Sequence, residues 1–328
     1  MRLLKFIGIT LLILIIIYLL GPHPSKPAYE KSLTALPAKP GALEQYIANK
    51  EGSHKVKPGN NAEIIWYDSL HQKTEYAIVY LHGFSASREE GNPVHTDIAK
   101  KFGCNLYLSR LAEHGIDTTE PMMNLTAATL WESSKEAYNI GRQLGKKVIL
   151  MGTSTGGSLA LQLAATYPDV AALVLLSPNI TINDPNAWLL NNPWGLQIAR
   201  LVKGSNYNES ANKTPVYKKY WDYKYRLEAA VQLEEYLETA MTKETYTDIK
   251  QPVLTLYYYK DEQHQDPVVK VSAIQEMMKD LSTPANQKKE QAIPNAENHV
   301  MGSYILSKDI PTVEKAINGF MTEVINIR

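Results

Sequence analysis

Hydrophobic positions divide the chain into an apolar opening, a polar Pro-rich stretch and a long body with two alternating periods. Leu3 to Leu20 is apolar apart from Lys5 and Thr10. From Ala62 onward, short β-rich runs alternate with longer helical ones. The expected strands are Glu63–Tyr67, Tyr76–Leu81, Asn105–Leu108, Lys147–Met151, Ala172–Leu176, Val253–Tyr259 and Gln287–Ile293. The expected helices are Val94–Phe102, Thr126–Leu144, Thr155–Thr166, Val268–Leu281 and Ile310–Ile325. Such alternation builds a mainly parallel sheet with helices on both faces, an α/β architecture. Val148–Met151 is continuously apolar, as a strand buried on both faces requires. The rhythm breaks at Asn179–Gln251, which is rich in Trp, Tyr and Asn and holds no strong strand. Its second half, Tyr217–Met241, is helical in pattern. Inserted between two sheet strands, this segment reads as a cap over one sheet edge.

The apolar opening is about 18 residues, which as a helix spans about 27 Å, close to a hydrocarbon core. Bulky Ile and Leu run up to Gly21, and no small-x-small cleavage site follows. An uncleaved membrane anchor over residues 1–27 is therefore expected. Arg2 and Lys5 place its start in the cytoplasm and the rest of the chain on the periplasmic or extracellular face. A cleaved signal sequence would instead give a secreted protein. Residues 28–61 read as a Pro-rich tether with a short helical stretch near Leu43–Asn49, and residues 62–328 as the body, with the cap at 179–251.

Composition narrows the function classes. The 328 residues are 44% hydrophobic and 21% charged, an ordinary globular mixture. Lys+Arg and Asp+Glu both number 34 and form no basic stripe, so no nucleic-acid partner is expected. Cys104 is the single cysteine, which excludes an internal disulfide and a cysteine-rich zinc site.

The strongest chemical signal is Gly152-Thr153-Ser154-Thr155-Gly156-Gly157. It matches G-x-S-x-G between an apolar strand and a helix, the context in which a tight turn projects the serine hydroxyl. An oxyanion site needs two N–H donors aimed at one point. Thr155 supplies one. The loop Leu81-His82-Gly83-Phe84, directly after a strand, supplies the other through the Phe84 N–H. His82, at the strand end, reads as a structural residue bonded to backbone. A serine hydroxyl needs a base, and of eight histidines only His299 lies in a loop after a late strand and downstream of a candidate acid. His264 is its rival. The loop after Val253–Tyr259 offers three carboxylates, Asp261, Glu262 and Asp266. A metal reading of that loop lacks a second liganding cluster.

Taken together, these motifs resemble the α/β-hydrolase superfamily, in its carboxylesterase, monoacylglycerol lipase and lysophospholipase branch. The resemblance covers about residues 62–328. It rests on Leu81–Phe84, Arg110–Gly115, Gly152–Gly157, Pro252-Val253-Leu254, Asp266–Val269 and His299. It implies a helical cap inserted after the sixth strand and a serine hydrolase acting on carboxylic esters, lipid esters among them, without cofactor or metal. It also implies Ser154 as nucleophile, His299 as base and Asp266 as acid. Counting from the strand end favours Asp261 instead, while the downstream Asp-x-x-Val pattern favours Asp266. A thioesterase or peptidase would use the same triad, and a non-catalytic binding module would dispense with it. The family often has glycine where Glu113 stands.

Overall fold

The computed structural model describes residues 2–327. Seven strands form the main sheet: β1 (Glu63–Ile65), β2 (Thr74–Leu81), β3 (Asn105–Leu108), β4 (Gly145–Thr153), β5 (Val170–Leu176), β8 (Val253–Tyr257) and β9 (Lys288–Ala292). The two remaining strands, β6 (Tyr207–Glu209) and β7 (Lys224–Arg226), pair with each other in the cap. The main sheet runs in the order β1-β3-β2-β4-β5-β8-β9, with only β1 antiparallel to its neighbour. Register aligns the carboxyl ends. Leu81 lies opposite Gly152, Thr153 opposite Leu176, Leu176 opposite Leu256, and Tyr257 opposite Ala292. Every loop that leaves these ends therefore opens on the same edge, where parallel sheets place their ligands.

Side-chain alternation decides what covers each face. In β2, Ala77, Val79 and Leu81 join one core cluster, and Ile78 and Tyr80 join the other. The first cluster takes in helices α4 (Ala127–Leu144), α5 (Thr155–Thr166), α9 (Lys243–Asp248) and α10 (Val271–Asp280). The second takes in α3 (Val94–Lys101) and α11 (Ile310–Glu323). Helix α4 starts where the sequence places it. The Thr126 hydroxyl accepts from the Thr129 N–H while the Thr129 hydroxyl accepts from the Thr126 N–H, a reciprocal cap. The cap itself holds α6 (Gly195–Lys203), α7 (Pro215–Tyr220) and α8 (Leu227–Ala240) beside the β6–β7 hairpin.

Three expectations change. The cap follows the fifth strand of the chain rather than the sixth, because β1 alone precedes β2. The cap also contains a short hairpin where no strong strand was expected. Its strands are three residues each and mostly polar, so period-two burial leaves no signal. Finally, the Pro-rich stretch is seated on the body. Helix α2 (Pro40–Gly52) buries Leu43 and Ile47. Ahead of it, Trp131 Nε1 donates to the Glu30 carbonyl at 2.8 Å, Asn139 Nδ2 to Thr34 at 2.6 Å, and Tyr29 packs edge-on against Trp131.

Helix α1 (Arg2–Leu19) forms at the apolar opening. Each large apolar side chain from Phe6 to Leu20 is exposed. Among the described residues, no helix is long and apolar enough to cross a membrane. The structure therefore gives the expected membrane anchor no support of its own.

Candidate active site

Ser154 sits on the turn that joins β4 to α5. Its backbone has φ 52° and ψ −121°, a strained conformation for a residue with a side chain. The turn is possible because its neighbours lack side chains. A Cβ at Gly156 would lie 1.9 Å from the Leu81 carbonyl oxygen, and one at Gly152 would lie 2.3 Å from the Gly156 oxygen. The Ser154 N–H continues the sheet ladder by donating to Leu176 at 2.9 Å. Its carbonyl accepts from Gly157, Ser158 and Asn179, so the backbone is held on several sides.

His299 lies in the loop after β9, with its ring almost wholly buried. Its Nδ1–H donates to Asp266 Oδ2 at 2.7 Å. That leaves Nε2 as the basic nitrogen. Asp266 is fully buried, and its other oxygen accepts from the Val268 and Val269 amides at 2.9 and 3.1 Å. Burial alone would push the Asp266 carboxyl up, but His299 and those two amides outweigh it and hold the group below the usual aspartate value. Burial likewise pulls the His299 imidazole down. The Asp266 and Glu90 carboxylates more than offset that, and its pKa stands above the ordinary histidine value.

Asp261 is elsewhere. It is exposed, and its carboxylate accepts from the Gln263 and His264 amides and from His264 Nδ1 at 2.8 Å. Residues 260–264 fold back as a solvent-facing turn, closed by the bridge between Tyr259 and Gln265. Asp266 then resumes at the strand end, its N–H donating to Tyr258 at 3.0 Å. Asp261 and His264, the two rivals, are thus paired with each other rather than with His299.

The loop after β2 closes the site. Among the described residues, neither the Phe84 nor the Thr155 amide has a hydrogen-bond partner, so each can donate to a bound oxyanion. His82 is structural in the way its position implies. Its Nε2 accepts from the Leu111 amide at 3.0 Å, and Nδ1–H donates to the Gly83 carbonyl at 2.9 Å. The Phe84 ring is wedged edge-on against Tyr225 and His114. Ser85 takes φ 60°, and its carbonyl accepts from the Asp222 amide at 2.7 Å.

Two buried carboxylates escaped the sequence reading. Asp222, in the cap, accepts from Lys57 and, at 3.1 Å, from the Gly115 amide. It ties the cap and the chain before β1 to the loop that carries Phe84. Glu90 accepts from the Gly83 amide and lines the same cleft as Ser154. Glu90 lies on the short turn Arg88–Gly91 and Asp222 between α7 and β7, and charged residues ordinarily face water, so nothing in the sequence marks them as buried. Glu113 has φ 64°, the left-handed region that favours glycine, which explains why glycine is the usual residue there.

The cleft over Ser154 and His299 encloses about 380 Å³. Its lining includes aromatic and aliphatic side chains, Tyr217 and Trp221, stacked at 4.7 Å, with Tyr225, Leu233 and Leu306, beside the polar Asn179, Asn212 and Asn298. Among the described residues, no cluster of His, Cys, Asp and Glu could hold a metal ion. The arrangement can activate a hydroxyl, stabilise an oxyanion and accommodate an apolar group beside both.

Four likenesses to known proteins bear on this site. A family model described as serine aminopeptidase, S33 matches residues 128–296. A thermostable monoacylglycerol lipase from Bacillus sp. (strain H-257) is 29% identical over 106 residues, which is 32% of this chain and 41% of that protein's length. Among solved structures, the fold matches that reported for the metagenome-derived lipolytic enzymes LipS and LipT, with a TM-score of 0.65 at 17% identity over 81% of this chain and 98% of the other. It also matches Est1E from Butyrivibrio proteoclasticus bound to ferulic acid, with a TM-score of 0.55 at 19% identity over 81% and 95%. These likenesses establish the α/β-hydrolase fold.

Proposed function

The chain belongs to the family described as serine aminopeptidase, S33, and from that premise we propose that it hydrolyses carboxylic esters by acyl transfer through Ser154. The observation that carries this reading is the buried His299–Asp266 pair in the same cleft as a serine on a strained strand-to-helix turn. In the first step Ser154 Oγ attacks the ester carbonyl carbon and its proton passes to His299 Nε2. The Phe84 and Thr155 amides hold the oxyanion. The carbonyl re-forms, the ester bond breaks, and His299 returns the proton to the leaving alcohol. A water then gives its proton to His299 and attacks the acyl-enzyme, releasing the acid and restoring Ser154. Asp266 holds the imidazole in the tautomer that leaves Nε2 basic and stabilises the imidazolium.

The aromatic and aliphatic part of the cleft lining supports an ester with an apolar acyl group, a class that includes lipid esters. The test is hydrolysis of p-nitrophenyl esters of increasing acyl length. Wild type should be active with an optimum in chain length, and Ser154→Ala should fold and lose at least about 10³-fold in kcat. A Ser154→Ala variant of wild-type activity would remove the reading. The family description favours a second reading, cleavage of an amino-terminal peptide bond by the same groups. It requires aminoacyl p-nitroanilides to be better substrates than any ester of the panel.

The site's location is part of the proposal. The exposed apolar run of α1 seats in a lipid bilayer, since so much apolar surface in water is strongly unfavourable. Full-length chain should then sediment with membranes and resist carbonate extraction, whereas chain starting at residue 28 should not. Full-length chain recovered in the soluble fraction would sink this localisation.

A further inference from the structure

Glu90 is a buried carboxylate that the acyl-transfer steps leave unused. It stands on the short turn Arg88–Gly91, where several parts of the cleft meet. From the loop after β2, the Gly83 N–H donates to its carboxylate. A Cβ at Gly83 would lie 2.8 Å from Glu90 Oε1 and 3.0 Å from Ser154 Cβ, so the carboxylate and the serine flank the space that a side chain at residue 83 would fill. From the His299 loop, Ser303 Oγ donates to the Glu89 carbonyl at 3.2 Å and the Tyr304 N–H donates to Asn92 at 2.9 Å. Glu90 and His299 line the same cleft as Ser154, and the carboxylate's charge raises the imidazole pKa.

The titratable groups around this pair are few. Tyr80 from β2 and Tyr217 from the cap face Glu90 besides His299, and Asp266 and Glu90 face His299. The Tyr80 hydroxyl is in turn hydrogen-bonded to Thr153 Oγ1 at 2.9 Å. Among the described residues, the charges that act on Glu90 include no lysine or arginine, and His299 is its cationic counterpart when the imidazole is protonated.

We propose that Glu90 is a positioning residue for the Ser154 reaction. Its carboxylate clamps the Gly83 amide, so that the next N–H, that of Phe84, stays aimed into the oxyanion site, and its charge favours the imidazolium of His299. The proposal rests on the acyl-transfer reading above. Its physical basis is that a buried N–H left without an acceptor is costly, so the loop conformation that satisfies Gly83 is strongly preferred. Burial also pushes the Glu90 carboxyl up to about 7, so its charge changes within the range in which His299 works.

Two variants separate the two effects. Glu90→Gln keeps an acceptor of the same shape and removes the charge, while Glu90→Ala removes both. Each is compared with wild type on a p-nitrophenyl ester across pH, with folding checked by circular dichroism. Glu90→Ala should lose about 10²-fold in kcat, as for a misplaced oxyanion donor, with KM changed less than about threefold. In Glu90→Gln the acid limb of kcat/KM should move to lower pH by about half a unit or more, because a negative charge facing His299 is gone. A side chain that only filled space would lower stability without moving that limb. An unmoved limb in Glu90→Gln, or a folded Glu90→Ala with kcat within about threefold of wild type, would overturn the proposal. Should Glu90→Ala not fold, the limb of Glu90→Gln decides alone. The wild-type activity measured alongside keeps a failure here distinct from a failure of the Ser154 reading.

Discussion

Asp266 and Asp261 are five residues apart in one loop, yet their surroundings are opposite. One is fully buried with three hydrogen-bond donors, and the other faces water with a histidine of its own. Asp266→Asn should lower kcat by about 10⁴-fold, by comparison with the serine-protease triad, because the amide can present its N–H to His299 and reverse the tautomer. Asp261→Asn should cost less than about tenfold, since it breaks only an exposed pair. The check is kcat for both variants on one ester, after confirming that each folds, and the reverse ranking would move the acid to Asp261. Ser154 and His299 are legible in the sequence because each is marked by its neighbours, a strand–turn–helix in one case and a late loop in the other. The choice between the two aspartates is not. It depends on the fold-back of residues 259–265, a tertiary event that strand-end counting cannot register.

At the scale of elements, the stretch before β1 shows what a proline count conceals. Residues 28–61 are polar and Pro-rich enough to read as a tether. Within them, Tyr29, Leu33 and Leu36 pack on the core, and Leu43 and Ile47 are buried in it. Apolar residues recurring every three or four positions between the prolines are the signal that was available. A chain starting at residue 28 keeps this strap, whereas one starting at residue 39 uncovers Trp131 and loses the bonds of Trp131 to Glu30 and of Asn139 to Thr34. The first truncation should therefore be as stable as the full chain. The second should lose about 3 kcal/mol, the scale of exposing one large aromatic side chain. Urea unfolding of the two distinguishes the outcomes, and equal midpoints would show that the strap contributes nothing. The β6–β7 hairpin of the cap went unread for a different reason. Its six residues gain their partners only when the cap folds, and nothing in so short a run specifies them.

For the whole molecule, the parallel sheet accounts for how residues 83 to 299 come together. Five strand ends are held in register at one edge, and the loops after β2, β4, β8 and β9 supply, in order, the Phe84 amide, Ser154, Asp266 and His299. The alternation of strand and helix made that edge legible from the sequence, but not the buried carboxylates that brace it. The cap completes the enclosure, and Asp222 fastens it to the Phe84 loop. Reaction at this edge requires the Ser154 hydroxyl to be the group that becomes acylated. Treating the full-length protein with a fluorophosphonate and mapping the adduct by peptide mass spectrometry tests this most directly. The modification should fall on the peptide bearing Ser154, at one adduct per chain, and should vanish in Ser154→Ala and slow sharply in His299→Ala. An adduct on Ser85, Ser87 or Ser177 instead, or labelling of Ser154→Ala at the wild-type rate, would contradict it.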